Sequence, residues 1–89
     1  MAVLLMAGAS GCANPGSAGG SGVVHVVAGE NFWGDIATQL GGARANVESV
    51  VTDPNADPHE YESSTNDARA FATASLVILN GAGYDDWGQ

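Results

Sequence analysis

Three short apolar runs punctuate the chain from residue 23 onward, and the segments between them leave few folds open. The first, Val23 to Ala28 (VVHVVA), is mostly β-branched and is followed by Gly29. A run of this length, apolar apart from His25, suits a strand buried on both faces better than one alternating between core and water. Asn31 can cap a helix after it, in which Trp33, Ile36, Ala37 and Leu40 fall at helical spacing before Gly41-Gly42 stops it. Asn46 to Thr52 (NVESVVT) reads as a second strand, interrupted by Glu48 and Ser49. Ser64 is placed to cap a second helix carrying Ala68, Phe71 and Ala72, with Asp67 in the first turn, where a negative charge is favourable. Leu76 to Asn80 (LVILN) reads as a third strand, ended by Gly81-Ala82-Gly83, and Leu76 to Leu79 are expected among the best-buried residues. With right-handed crossovers, this order gives an α/β fold: a partial parallel β-α-β-α-β sheet with helices outside it.

The 89 residues make at most one small domain, and such a domain buries only roughly 60 to 65% of the surface of its unfolded chain. Much of the apolar content is alanine, and thirteen glycines add backbone entropy that folding must overcome, so the core is expected to be thin. Arg44 and Arg69 face ten carboxylates for a net charge of -8, which excludes a phosphate-neutralising surface and therefore nucleic acid as a partner. Cys12 is the single cysteine, so neither an internal disulfide nor a cysteine-rich metal cluster can form.

The position of Cys12 is informative. It ends the run MAVLLMAGASGC, whose apolar part is far too short to span a bilayer but has the size of a signal-peptide apolar region. Ala9, Ser10 and Gly11 before the cysteine resemble a bacterial lipobox, in which the cysteine becomes the lipidated first residue. The departures are Ala9 in place of the usual leucine and the lack of a basic residue ahead of the apolar run. The segment after Cys12, ANPGSAGGSG, has few side chains to bury and reads as a flexible tether. The expected organisation is a leader over 1–11, a lipidated cysteine and linker over 12–22, and a folded unit over 23–89.

The loop after the second strand, DPNADPHEYE, holds His59 among Asp53, Asp57, Glu60 and Glu62. Pro54 and Pro58 restrict their own φ angles and push Asp53 and Asp57 toward extended backbone, which lowers the entropy lost when the loop takes one shape. Open α/β sheets bind ligands outside the carboxyl ends of their strands. His59, Gly29-Glu30 and the Gly81 to Asp86 segment all lie at such ends, so either a ligand rim or a solvated acidic turn fits these residues.

Several catalytic motifs fail. A zinc-peptidase pair needs a second histidine where Ser63 stands. In the segment after the third strand, Asp86 occupies the third glycine position of a dinucleotide fingerprint. No Gly-Lys-Ser/Thr and no Gly-x-Ser-x-Gly occurs, and no enzyme is indicated. Asp85 and Asp86 read as solvated or as charge compensation at a helix start. His25 reads as structural, Phe32 and Trp33 as helix-to-sheet packing, and Tyr84 and Trp87 as anchors of a third helix.

DPHEYE, the strand before it, and the later LVILNGAGYDDW closely resemble the N-terminal lobe of the metal-binding lipoproteins that serve zinc and manganese ABC importers. The resemblance runs from about Val24 to Trp87. It implies a two-lobed receptor of which this chain is the first part, with His59 a ligand of transported Zn2+ or Mn2+ through an imidazole nitrogen. It implies no such role for His25. It further implies an ABC permease as partner, a lipid anchor at Cys12, an extracytoplasmic location at the cell surface or in the periplasm, and remaining ligands outside this sequence. Ser63 departs from the proline that many relatives carry after the Tyr-Glu pair. Within the chain, Asp57, Glu60 and Glu62 are the carboxylates placed to assist His59. The alternative is a small acidic surface lipoprotein with an interaction role and no metal function.

Overall fold

The computed structural model describes residues 22–89; the leader, Cys12 and nearly all of the linker lie outside the described residues. Strand β1 spans Val24–Glu30, helix α1 Asn31–Gly41, strand β2 Ala45–Val51, helix α2 Thr65–Thr73 and strand β3 Leu76–Ile78. The sheet has the order β2-β1-β3, and both pairings are parallel, with His25 opposite Asn46 and Val27 opposite both Glu48 and Val77. This is the α/β architecture that the order of apolar runs implies.

Being central, β1 has neighbours on both edges, which is why its second half is buried throughout. Val26, Val27, Ala28 and Val51 form the apolar core, and each valine contributes about 1.5 to 3 kcal/mol by leaving water. Gly29 does not end β1: the strand continues to Glu30, paired with Val51. The helix follows without a loop, so Glu30 occupies the N-cap position and Asn31 is already helical. Asn31 therefore does not cap α1; its side-chain amide donates instead to the Thr52 carbonyl at 3.2 Å, tying the β1–α1 junction to the end of β2.

Helix α1 lies against the sheet through Gly34, its one buried residue. A β-carbon there would overlap Ser49 Oγ of β2 and stand 3.6 Å from Ala28 Cβ of β1. The side chains expected to make this contact sit elsewhere: Ile36 is 47% and Leu40 85% exposed. The expectation for the third strand also fails, since Leu76 is 50% exposed, Val77 is exposed, and Ile78 and Leu79 are half-buried. The reason is position. β3 is a three-residue edge strand, and Leu76 and Ile78 line, with Val24, Val26, Ala37 and Leu40, an open apolar groove of about 400 Å³ beside α1.

Helix α2 begins as the sequence implies. Ser64 Oγ accepts from Asp67 N at 3.1 Å, and Asp67 Oδ2 accepts from Ser64 N at 2.8 Å, a complete capping box. Because α2 buries no residue fully, its start depends on this cap more than on packing. Ser64→Ala is expected to cost about 1 kcal/mol, read as a lower urea midpoint at unchanged m-value; an unshifted midpoint would show the cap to be dispensable.

Candidate functional site

The carboxyl ends of the three strands form one rim, and the loop after β2 is folded onto it as two consecutive aspartate turns. Asp53 Oδ1 accepts from Asn55 N at 2.9 Å, and Asp57 Oδ1 accepts from His59 N at 3.0 Å. In each the proline directly after the aspartate brings no N–H of its own, so the carboxylate takes the N–H two residues on. A single 3-10 turn over Pro58–Glu60 then carries the histidine.

Asp57 does more than cap this turn. The same Oδ1 lies 2.9 Å from His59 Nδ1. The two hydrogen bonds from His59 hold the Asp57 carboxyl below its ordinary range, so it is an acceptor. Nδ1 must then carry a proton, and in the neutral ring Nε2 holds the lone pair. A carboxylate orienting a histidine in this way is how metal-binding imidazoles are commonly held. The Tyr84 ring meets the imidazole edge-on at 4.4 Å, and His59 remains about half exposed.

Behind the histidine the loop is pinned from several directions. Pro58 is buried, and its carbonyl accepts from Trp87 Nε1 at 2.8 Å. The Trp87 ring packs edge-on against Tyr61 at 4.8 Å and tilted against Phe71 of α2 at 6.1 Å. Tyr61 in turn donates its hydroxyl proton to Asp67, inside the capping box. Trp87 therefore props the His59 loop, and the chain around it forms a 3-10 turn over Asp86–Gly88.

The third rim segment is a tight turn with left-handed φ at three successive residues, Gly81 at 77°, Ala82 at 57° and Gly83 at 79°, a conformation that glycine adopts without strain and alanine does not. Asp85 closes it by accepting from Asn80 N at 2.7 Å and Gly81 N at 2.9 Å. Asp85 is thus fully buried, contrary to the expectation of a solvated carboxylate, whereas Asp86 is exposed as expected. Phe32 and Trp33 also depart from helix-to-sheet packing: Phe32 is 42% exposed and faces Tyr84 at 6.2 Å, while Trp33 donates from Nε1 to Asn80 Oδ1 at 3.1 Å. Both sit on the rim because Gly34, not an aromatic, occupies the sheet-facing position. His25 lies mid-strand, away from the rim, where its carbonyl accepts from Ser75 N at 2.9 Å.

Glu60 and Glu62 are exposed, the imidazole's hydrogen-bond partner among the described residues being Asp57, and among the described residues no three His, Cys, Asp or Glu side chains come together as a metal-binding group. The rim therefore offers one oriented imidazole. Sequence reasoning grouped Asp57 with Glu60 and Glu62 as carboxylates able to assist, without distinguishing an orienting role. The spacing of an aspartate two residues ahead of the histidine, with proline between, carried that signal.

The family model described as zinc-uptake complex component A, periplasmic, matches residues 26–89. Among curated proteins, the chain is 31% identical over 87 residues to the metal ABC transporter substrate-binding lipoprotein FimA of Streptococcus parasanguinis, covering 98% of this chain and 28% of that protein. It is 28% identical to the manganese-binding lipoprotein MntA of Halalkalibacterium halodurans, over 100% of this chain and 29% of the relative. The metal ABC transporter substrate-binding lipoprotein ScbA of Streptococcus cristatus is 33% identical over 70 residues, which is 79% of this chain and 22% of ScbA. The chain thus spans less than a third of the length of these relatives.

Proposed function

We propose, because this chain belongs to the family of the zinc-uptake complex component A, periplasmic, that it forms part of an extracytoplasmic receptor that captures a divalent transition metal and passes it to an ABC permease. The observation that carries the reading is the Asp57–His59 pair at the sheet rim, with Nδ1 committed to the carboxylate and Nε2 left for a metal ion. The role is one of binding and delivery rather than catalysis. Zinc, in the family's description, and manganese, in the name of one relative, are the two cargo ions to consider; imidazole suits zinc and further oxygen ligands would favour manganese. Cys12 is the proposed lipid attachment point, in keeping with relatives that are named lipoproteins. The ions are held here as cargo: one imidazole on a stiff turn supplies a fixed ligand, and the other ligands close over the metal from elsewhere in the receptor.

The test is calorimetric titration of zinc and manganese into the intact protein and its Asp57 variants. Asp57→Ala is expected to weaken zinc binding by roughly tenfold, as is usual when the hydrogen-bond partner of a ligating histidine is removed. Asp57→Asn, whose amide oxygen can still accept from Nδ1, should lose less. Equal affinity of all three would remove the orienting role, and absence of tight binding of either ion by the intact protein would remove the receptor reading.

A further inference from the structure

The carboxyl end of β1 holds an acidic side chain that the His59 rim does not use. Glu30 is 1% exposed, and no N–H or O–H donor among the described residues reaches either of its carboxylate oxygens. Asp85 is buried as well, and its carboxyl is the charged neighbour of the Glu30 carboxyl. A β-carbon on Gly29, the residue before Glu30, would lie 3.0 Å from Asp85 Oδ2, so the Asp85 carboxylate rests against the end of β1. Among the described residues neither acid has a cationic partner; the one ion pair is that of His59 with Asp57 at the surface.

Two adjacent carboxylates out of water cannot both ionise without a counter-charge. Their surroundings separate them. Asp85 receives two backbone N–H donors, from Asn80 and Gly81, which favour its charged form. Glu30 receives none. A proton therefore belongs on Glu30, and once there it gives the pair the donor that two ionised carboxylates lack.

We infer that Glu30 carries a proton and donates it in a hydrogen bond to Asp85, forming a carboxyl–carboxylate latch between the end of β1 and the turn after β3. Other occupants fit less well. A cation or side chain arriving from outside has no access to a group 1% exposed, and a metal ion would need more ligands than two carboxyl groups provide. The latch bears on the rim because Asp85 closes the turn that presents Tyr84 to His59.

Burial, followed by the hydrogen bond and charge of Asp85, pushes the Glu30 carboxyl up from 4.5 to about 7. Asp85 is the side chain that acts on it; of the other titratable groups on these elements, Asp35 of α1, Glu48 of β2 and Asp86 are exposed, His25 and Tyr84 are half-buried, and Asp57 and His59 pair with each other. Since the folded state holds a proton that the unfolded state releases from about pH 4.5 upward, this group's contribution to stability is greatest in acid. It falls as pH rises toward 7 and levels off above it.

The test compares denaturant unfolding of the intact protein at pH 5 and pH 8.5 with that of Glu30→Gln, whose amide can donate to Asp85 without titrating. The folding constant of the wild type is expected to fall by roughly tenfold to hundredfold more than that of Glu30→Gln between these pH values. In a second arm, the Glu30 side-chain carboxyl carbon of the wild type, followed by NMR, is expected to titrate near neutral pH. An identical pH response of wild type and Glu30→Gln, or a carboxyl resonance titrating near 4.5, overturns the latch. Neither arm depends on whether His59 binds metal, so failure of the latch and failure of the receptor reading are separable.

Discussion

His59→Ala in the intact protein is expected to lower zinc affinity by roughly hundredfold or more, because loss of an outer partner alone costs about 10- to 100-fold and this change removes the ligand itself. The geometry makes the imidazole hard to replace. Nδ1 is held by Asp57, Tyr84 stands against the ring, and Trp87 fastens the carbonyl of the preceding Pro58. A neighbouring carboxylate such as Glu60 would have to leave solvent and reorder to substitute. His25→Ala is the control: it lies on β1 away from the rim and should alter stability more than affinity. The 89-residue chain by itself should bind zinc weakly, since its described residues bring no three ligating side chains together and each position left to water weakens a zinc site. Calorimetry on both forms checks these outcomes. An unaffected His59→Ala in the intact protein would withdraw the ligand assignment, and tight binding by the chain alone would reveal a site among residues read here as structural.

Gly34→Val is expected to destabilise the fold by about 3 kcal/mol, the upper end of the usual cost of overpacking. Even a single β-carbon at this position overlaps Ser49 Oγ and stands 3.3 Å from Ser49 Cβ, and the two methyl groups of valine need further room. Rotation of the serine hydroxyl relieves one contact but leaves the helix too close to β2. The consequence is a lifted α1 and a disturbed rim, because α1 carries Phe32 and Trp33 to the β3 turn. If the clash with Ser49 is the cause, Ser49→Gly should couple with Gly34→Val, the double variant being more stable than the sum of the singles by roughly 1 kcal/mol or more. Chemical denaturation of the four proteins measures this; additive effects would place the strain elsewhere.

What was legible in the sequence was the part set by local chemistry. The β-branched run of β1, the Ser64 cap with Asp67, and the stiffness of the Asp-Pro loop follow from residue type and spacing, and the resemblance of DPHEYE drew attention to His59. What was not legible depends on which surfaces meet. Helical spacing proposed Trp33, Ile36, Ala37 and Leu40 as the inner face of α1, but a glycine can bring the helix closest because it has no side chain, and no count of apolar residues finds it. Leu76 to Leu79 looked like a core strand; only the topology shows it to be a short edge. Asp85 looked solvated because its hydrogen-bond donors are backbone N–H groups, invisible in the letters, and because Glu30, its neighbour in space, is 55 residues earlier in the chain.

The order β2-β1-β3 also has a consequence in time. β1 is the first of the three strands to be synthesised and the one that ends between the other two, so it emerges with both edges open and no partner close behind it. Its pairing with β2 must wait for Val51, and its second edge stays unsatisfied until Ile78 has been made. No local hairpin can hold it meanwhile, since parallel strands are joined only through a crossover. This contact pattern makes early folding slow and leaves an apolar segment unsheltered; the His59 loop, threaded between the second and third strands, can take its final shape only after the chain behind it has closed the sheet and delivered Trp87.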